Sequence, residues 1–250
     1  MKWGKFRFFG KHMYRDLLIT MAVIITGRAI VPNRLVGAKL DDLVLTAILV
    51  VALLEITRSR RHVWIGVILG LPAIASRLVN AFTPDSVAVG NVVLGITSLF
   101  FGFLIWQILH DLLKGNRSTG EQIFGAICAY LFIGALFALV FAHAEFVDPG
   151  AFSVSENLIA VHGDRPLSLF TYFSFVTLTT LGYGDITPIS EAARTLAWFE
   201  ALVGQLYLAV MIAGLVAVHI SGGRQGRQGS TPPAPDPEDP GDQEPPADGE

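Results

Sequence analysis

Nine residues, Thr177-Leu-Thr-Thr-Leu-Gly-Tyr-Gly-Asp185, bring hydroxyls, two glycines and a carboxylate together around one tyrosine. No metal-ligand cluster, nucleophile with a base, or phosphate loop is visible in the sequence, so the chemistry on offer is that of the backbone. Gly182 and Gly184 allow conformations closed to residues with a Cβ, which lets successive carbonyl oxygens face the same way. Rings of such carbonyls can replace the hydration water of a cation. Glycine-aromatic-glycine alone is an ordinary turn in many soluble loops, so its meaning depends on the elements that hold it.

Those elements belong to a membrane. The 250 residues are 52% hydrophobic and 16% charged, with mean hydropathy +0.54, whereas soluble domains carry about a quarter charged residues. Apolar stretches lie at 17–31, 43–57, 63–79, 87–109, 122–142 and 195–220, each near the roughly 20 residues a crossing needs. The expected fold is therefore an all-α membrane protein with six transmembrane helices. A shorter apolar segment, 167–181, lies in the long loop between the fifth and sixth stretches and is expected to dip in and return. Non-helical backbone is tolerated at membrane depth only where protein or water surrounds it. A basic leader and apolar core over residues 1–31 also read as a signal peptide, but no small-x-small cleavage site follows Ile25, so an anchor is expected.

With an even number of spans both termini share a side. Placing them in the cytoplasm puts twelve lysines and arginines inside (five from Lys2 to Arg15, then Arg58, Arg60, Arg61, Lys114, Arg117, Arg224 and Arg227) and six outside, the bias that positive loops follow.

In this setting the nine residues resemble the selectivity-filter signature of potassium channels. The resemblance is strong over 122–220 and extends to 17–110 only in layout. It implies that potassium ions bind the carbonyls of Thr180, Leu181, Gly182 and Tyr183, with the Thr180 hydroxyl, and that Gly184 completes the filter. It further implies that Asp185 closes the outer mouth, that Tyr183 packs behind the filter, and that 167–179 is a pore helix with Ser168 as a candidate N-cap. That helix would aim its partially negative C-terminus at the ion path, which favours a cation. Tyr172, Val176 and Thr179 would support the filter. Three residues depart from the common pattern: Leu181 replaces valine, Val176 stands where some relatives place a buried carboxylate, and Tyr172 and Phe173 replace a tryptophan pair. The Tyr172 hydroxyl is expected to bond Asp185 in compensation.

The stretch 195–220 would be the inner helix. Gly204, 20 residues after Gly184, stands at the family's hinge spacing, although membrane glycines serve equally often for close helix packing. Steps of four from it give Leu208, Ile212, Val216 and Ile220, an apolar stripe suited to a cavity lining or a dewetting gate.

A voltage sensor needs several arginines along its fourth span, and 87–109 has none. Residues 17–110 thus read as a four-helix membrane domain between a cytoplasmic N-terminus at 1–16 and a linker at 111–121. The pore domain spans 122–220. The cluster Arg58 to His62 reads as a topology determinant and a contact for anionic membrane lipids, and His143 and His162 as ordinary surface histidines. Residues 221–250 hold seven prolines and six glycines, with two arginines against seven acids, for a net charge of −5; disorder is expected there, without a ligand-sensing module. Cys128 is the single cysteine, so no intrachain disulfide can form.

One filter segment per chain implies a homotetramer in the cell membrane, with potassium as permeant ion, no cofactor, no nucleic-acid partner and no enzymatic activity. The rivals are a non-selective cation channel of the same architecture, a potassium transporter subunit, whose four filter-like loops are not present here, and a membrane enzyme.

Overall fold

A computed structural model describes residues 13–30, 46–51, 63–82, 87–114, 119–162 and 166–228. Helix α1 is Met13–Ile30, residues 46–51 are helical, α2 is Val63–Phe82, α3 Val87–Leu113 and α4 Thr119–Val147. Then come β1 (Phe152–Val154), α5 (Glu156–His162), α6 (Pro166–Leu178), β2 (Ile186–Pro188) and α7 (Glu191–Gln228). A helix satisfies its own backbone within one segment, which is what long apolar runs without water require.

Helix α4 is the spine. One of its faces (Cys128, Phe132, Leu139) joins α1, 46–51, α2 and α3 in a core that includes Tyr14, Leu49, Ala73, Phe100 and Phe101. Another face (Ile133, Phe137, Phe141) joins α6, α7 and the strands in a second core with Phe152, Phe170, Phe173, Leu178 and Ile186. The steps of four and seven within these sets keep each on one side of a helix with 3.6 residues per turn.

Among the described residues, three helices are long and apolar enough to cross a membrane: Val89–Leu113, Gly120–Val147 and Glu191–Gly214. These coincide with the fourth, fifth and sixth expected spans. The first and third expected spans are helices of 18 and 20 residues, the latter with Pro72 inside it. Only 46–51 of the second is described, and Arg58 to His62, the N-terminal residues 1–12 and the tail from 229 lie outside the described residues.

Several limits move. Helix α7 starts at Glu191, four residues before the hydropathy limit, because Ser190 caps it: its hydroxyl accepts from the Ala193 N–H at 3.2 Å and its carbonyl from the Arg194 N–H at 3.0 Å. The same helix continues to Gln228, so residues 221–228, expected to be disordered, are helical; backbone bonding carries a helix past the point where its side chains stop being apolar. Ser168 is not an N-cap. It is the third residue of α6, whose first position is Pro166, a residue suited to that place because its missing N–H would have no intrahelical partner there.

Two strands and a short helix add to the expected helices. β1 and β2 pair antiparallel in the register Phe152↔Pro188, Ser153↔Thr187 and Val154↔Ile186. The pairing joins the loop after α4 to the segment leaving the glycine-rich turn.

Candidate ion-conducting site

Helix α6 has 13 residues, about 20 Å at 1.5 Å per residue, too short for the roughly 30 Å hydrocarbon core. It ends where Thr177–Asp185 begins to turn, and its last four carbonyls, which have no intrahelical partner of their own beyond the helix end, are each taken. Phe175 O accepts from the Thr179 N–H at 3.1 Å and its hydroxyl at 2.6 Å. Val176 O accepts from the Leu181 and Gly182 N–H groups at 2.9 and 3.4 Å. Thr177 O accepts from the Thr180 N–H at 2.9 Å, and Leu178 O from the Tyr130 hydroxyl of α4 at 3.2 Å. The segment 179–182 is therefore tied to the helix behind it by its own N–H groups. Val176 contributes through its backbone oxygen while its side chain stays buried.

Along this segment the backbone alternates in handedness. Thr180, Gly182 and Gly184 have φ of 58°, 59° and 78°, and Leu181 and Tyr183 between them keep negative values. Alternation of left- and right-handed residues gives successive peptide planes one common orientation, gathering N–H groups on one side and leaving carbonyls on the other. Glycine takes positive φ without penalty. Thr180 does not, because a β-branched residue there is a true outlier.

Asp185 is fixed from two directions. The Tyr172 hydroxyl donates to Oδ2 at 2.5 Å, the bond expected from the sequence, and the Ile186 N–H donates to Oδ1 at 3.0 Å. The Asp185 carbonyl accepts from the Ser155 N–H at 2.9 Å, which extends the β1–β2 ladder by one residue. The rings of Tyr172 and Tyr183 lie nearly parallel, 6.4 Å apart at 8°. Residues 179–184 are exposed on the single chain, Leu181 by 56% and Tyr183 by 64%.

Gly204 packs tightly in an unbroken α7: an added Cβ would stand 2.7 Å from Leu178 O and 2.9 Å from the Leu178 side chain. Of its two sequence readings, the geometry gives it the packing role. The stripe below it opens as α6 ends, with Leu208 half-buried and Ile212 and Val216 exposed; the Ile220 side chain lies outside the described residues.

Sequence reasoning missed four supports. Glu145 of α4 accepts from the Gly150 N–H at 2.9 Å and the Phe152 N–H at 3.1 Å, so it holds the loop that feeds β1. Tyr130 binds the end of α6 as described above. Ser174 and Glu200, both fully buried, are hydrogen-bonded to each other, and the Ser174 hydroxyl lies 2.7 Å from Gly134 O, which ties α6 to α7 and α4. A signal for Glu200 was present, since an ionisable residue inside an apolar span is rarely incidental. Among the described residues no group of His, Cys, Asp and Glu could hold a metal ion.

A short apolar helix with a backbone of alternating handedness at its C-terminus stands between two long apolar helices, α4 and α7. Residues 125–220 match the family model described as Ion channel. Two-pore potassium channel 3 of Arabidopsis thaliana is 27% identical over 107 residues, 43% of this chain and 21% of that protein. Two-pore potassium channel 2 of the same plant is 42% identical over 106 residues, 42% of this chain and 21% of that protein. The inward rectifier potassium channel Kirbac3.1 of Paramagnetospirillum magnetotacticum is 36% identical over 105 residues, 40% of this chain and 30% of that protein. The likeness of residues 125–220 to the Ion channel model and to these potassium channels points to a channel, not an enzyme. The matches cover under a third of the length of each relative.

Proposed function

We propose that the chain conducts potassium selectively and passively, as a homotetramer with one filter segment from each subunit around a central axis. The observation that carries this reading is the alternation of φ at Thr180, Gly182 and Gly184, fastened by N–H bonds to the end of α6. In the assembly, the carbonyls of Thr180, Leu181, Gly182 and Tyr183 and the Thr180 hydroxyl replace water around potassium, with Gly184 and Asp185 at the outer mouth. Supporting the tetramer, the segment and the α7 side chains Trp198, Leu202, Leu206 and Val210 are exposed on one chain and apolar enough to need a partner or lipid. Ile212 and Val216 line the cavity below.

The chain crosses the cell membrane six times with both termini in the cytoplasm, and α6 is re-entrant. Helix α3 carries no lysine or arginine, so opening is not steeply voltage-dependent through an arginine array. The purified chain in liposomes, assayed for flux and reversal potential in potassium against sodium gradients, tests the proposal. Potassium-selective flux lost in Gly182→Ala supports it. Equal sodium flux would instead favour a non-selective cation channel.

A further inference from the structure

Glu200 sits in an apolar stretch, Trp198-Phe199-Glu200-Ala201-Leu202, and is fully buried. Among the described residues no cation is recorded against it. Among the described residues α4 and α6 contain no lysine or arginine, and Arg194 is the single one on α7 between Glu191 and Gly214, where it donates to the Pro188 carbonyl at 3.3 Å. Of the other titratable groups, Tyr130 of α4 lies within electrostatic range of Glu200. His143 and Glu145 lie farther along α4 towards the outer loop, where Glu145 is engaged. Tyr172 of α6 is bonded to Asp185, and Tyr207 of α7 donates to the Ala126 carbonyl at 2.6 Å. None of these supplies a positive counter-charge at Glu200. A buried carboxylate without one is costly, and such groups neutralise instead.

The count of hydrogens agrees. A serine hydroxyl has one hydrogen to donate, and a carbonyl has none. Ser174 Oγ contacts both Gly134 O and Glu200 Oε1. If the serine hydrogen goes to Gly134, the bond to Glu200 needs a hydrogen from the carboxyl. Glu200 Oε2 is buried with no partner in the described structure, a far smaller penalty for an acid than for an anion.

We propose that Glu200 is a neutral carboxylic acid that donates to Ser174 Oγ, forming a proton-dependent lock from α7 through α6 to α4 behind the filter. It is a positioning residue, one that acts on conduction through the pore helix. Loss of the proton puts an unpaired charge beside α6, frees the helix that fastens the filter, and lowers conduction. This rests on the pore reading above.

Two measurements test it separately. Infrared difference spectra of the reconstituted full chain, wild type minus Glu200→Gln, should show the carbonyl stretch of a protonated carboxyl at neutral pH, and Ser174→Ala should move that stretch to higher frequency. Absence of the band, or no movement in Ser174→Ala, overturns the proposal. Potassium flux through the wild type should fall several-fold as the pH is raised far enough to abolish the band. Glu200→Gln, whose amide donates to Ser174 without titrating, should conduct at neutral pH and lose that dependence, whereas Glu200→Leu should conduct poorly at every pH. A Glu200→Gln profile that tracks the wild type overturns the lock. If the wild type carries no potassium flux at all, the pore reading fails, and the infrared band still reports the proton.

Discussion

Thr180 holds a φ of 58° at a cost of about 1–2 kcal/mol for a residue with a Cβ, where glycine would hold it freely. Thr180→Gly removes that strain but adds about 1 kcal/mol of chain entropy to be lost on folding, so the stability of the fold should barely change. The lost hydroxyl should nevertheless shift the reversal potential toward that of sodium, while Thr180→Ser keeps selectivity. Gly182→Ala is the converse. An added Cβ meets nothing within 4 Å in the single chain, so the expected penalty is conformational, about 1–2 kcal/mol per subunit, read as reduced potassium occupancy by calorimetry. Tyr172→Phe deletes the Asp185 bond, worth about 1–2 kcal/mol, and should shorten the conducting period in single-channel records. The positive φ at the glycines and the Tyr172–Asp185 bond were legible in the sequence because they follow from residue type and neighbours. Glu145, Ser174 and Glu200 were not identified as supports, because their partners lie on other elements 5 to 40 positions away.

At the scale of elements, the segment 179–185 is held at one end by α6 and at the other by the β1–β2 ladder. Gly204→Ala would drive a Cβ into Leu178 O at 2.7 Å, a backbone atom that cannot turn aside. The expected cost is about 1–3 kcal/mol, measured as lower thermal stability of the purified protein, with the proposed potassium flux reduced through a displaced α6. A variant that stayed stable and merely opened less often would favour the hinge reading. Glu145→Ala leaves the N–H groups of Gly150 and Phe152 without their carboxylate and should cost about 1 kcal/mol, since both remain partly reachable by water. Loosening β1 in this way should destabilise the mouth at Asp185 and leave the core of α3 and α4 intact, which hydrogen exchange can distinguish. The ladder escaped sequence reading because three-residue strands have too short a pattern to recognise, whereas α3, α4 and α7 are long and apolar throughout.

For the whole molecule, α4 connects two cores, so the front helices and the pore module share one rigid element. At its start, Glu121 accepts from the Tyr14 N–H at 3.1 Å, placing a carboxylate at the N-terminus of α1, and the Tyr14 hydroxyl donates to Asp111 at 3.3 Å. Glu121→Gln weakens the charge at that helix end by about 1 kcal/mol and should lower the melting temperature of the front helices. Potassium selectivity should be unaffected, because the filter is held by the second core.

Sequence alone determined the apolar, helical character, the place of the three long helices and the glycine positions at which the segment after α6 turns to positive φ, because hydropathy and glycine placement are local properties that survive without tertiary contacts. The tertiary structure decided what fixes that segment. It put Gly204 in van der Waals contact with Leu178, paired residues 152–154 with 186–188, and brought Glu200 against Ser174. Such contacts depend on how α4, α6 and α7 are rotated about their axes, and in helices apolar on nearly every side the hydrophobic pattern does not specify that rotation.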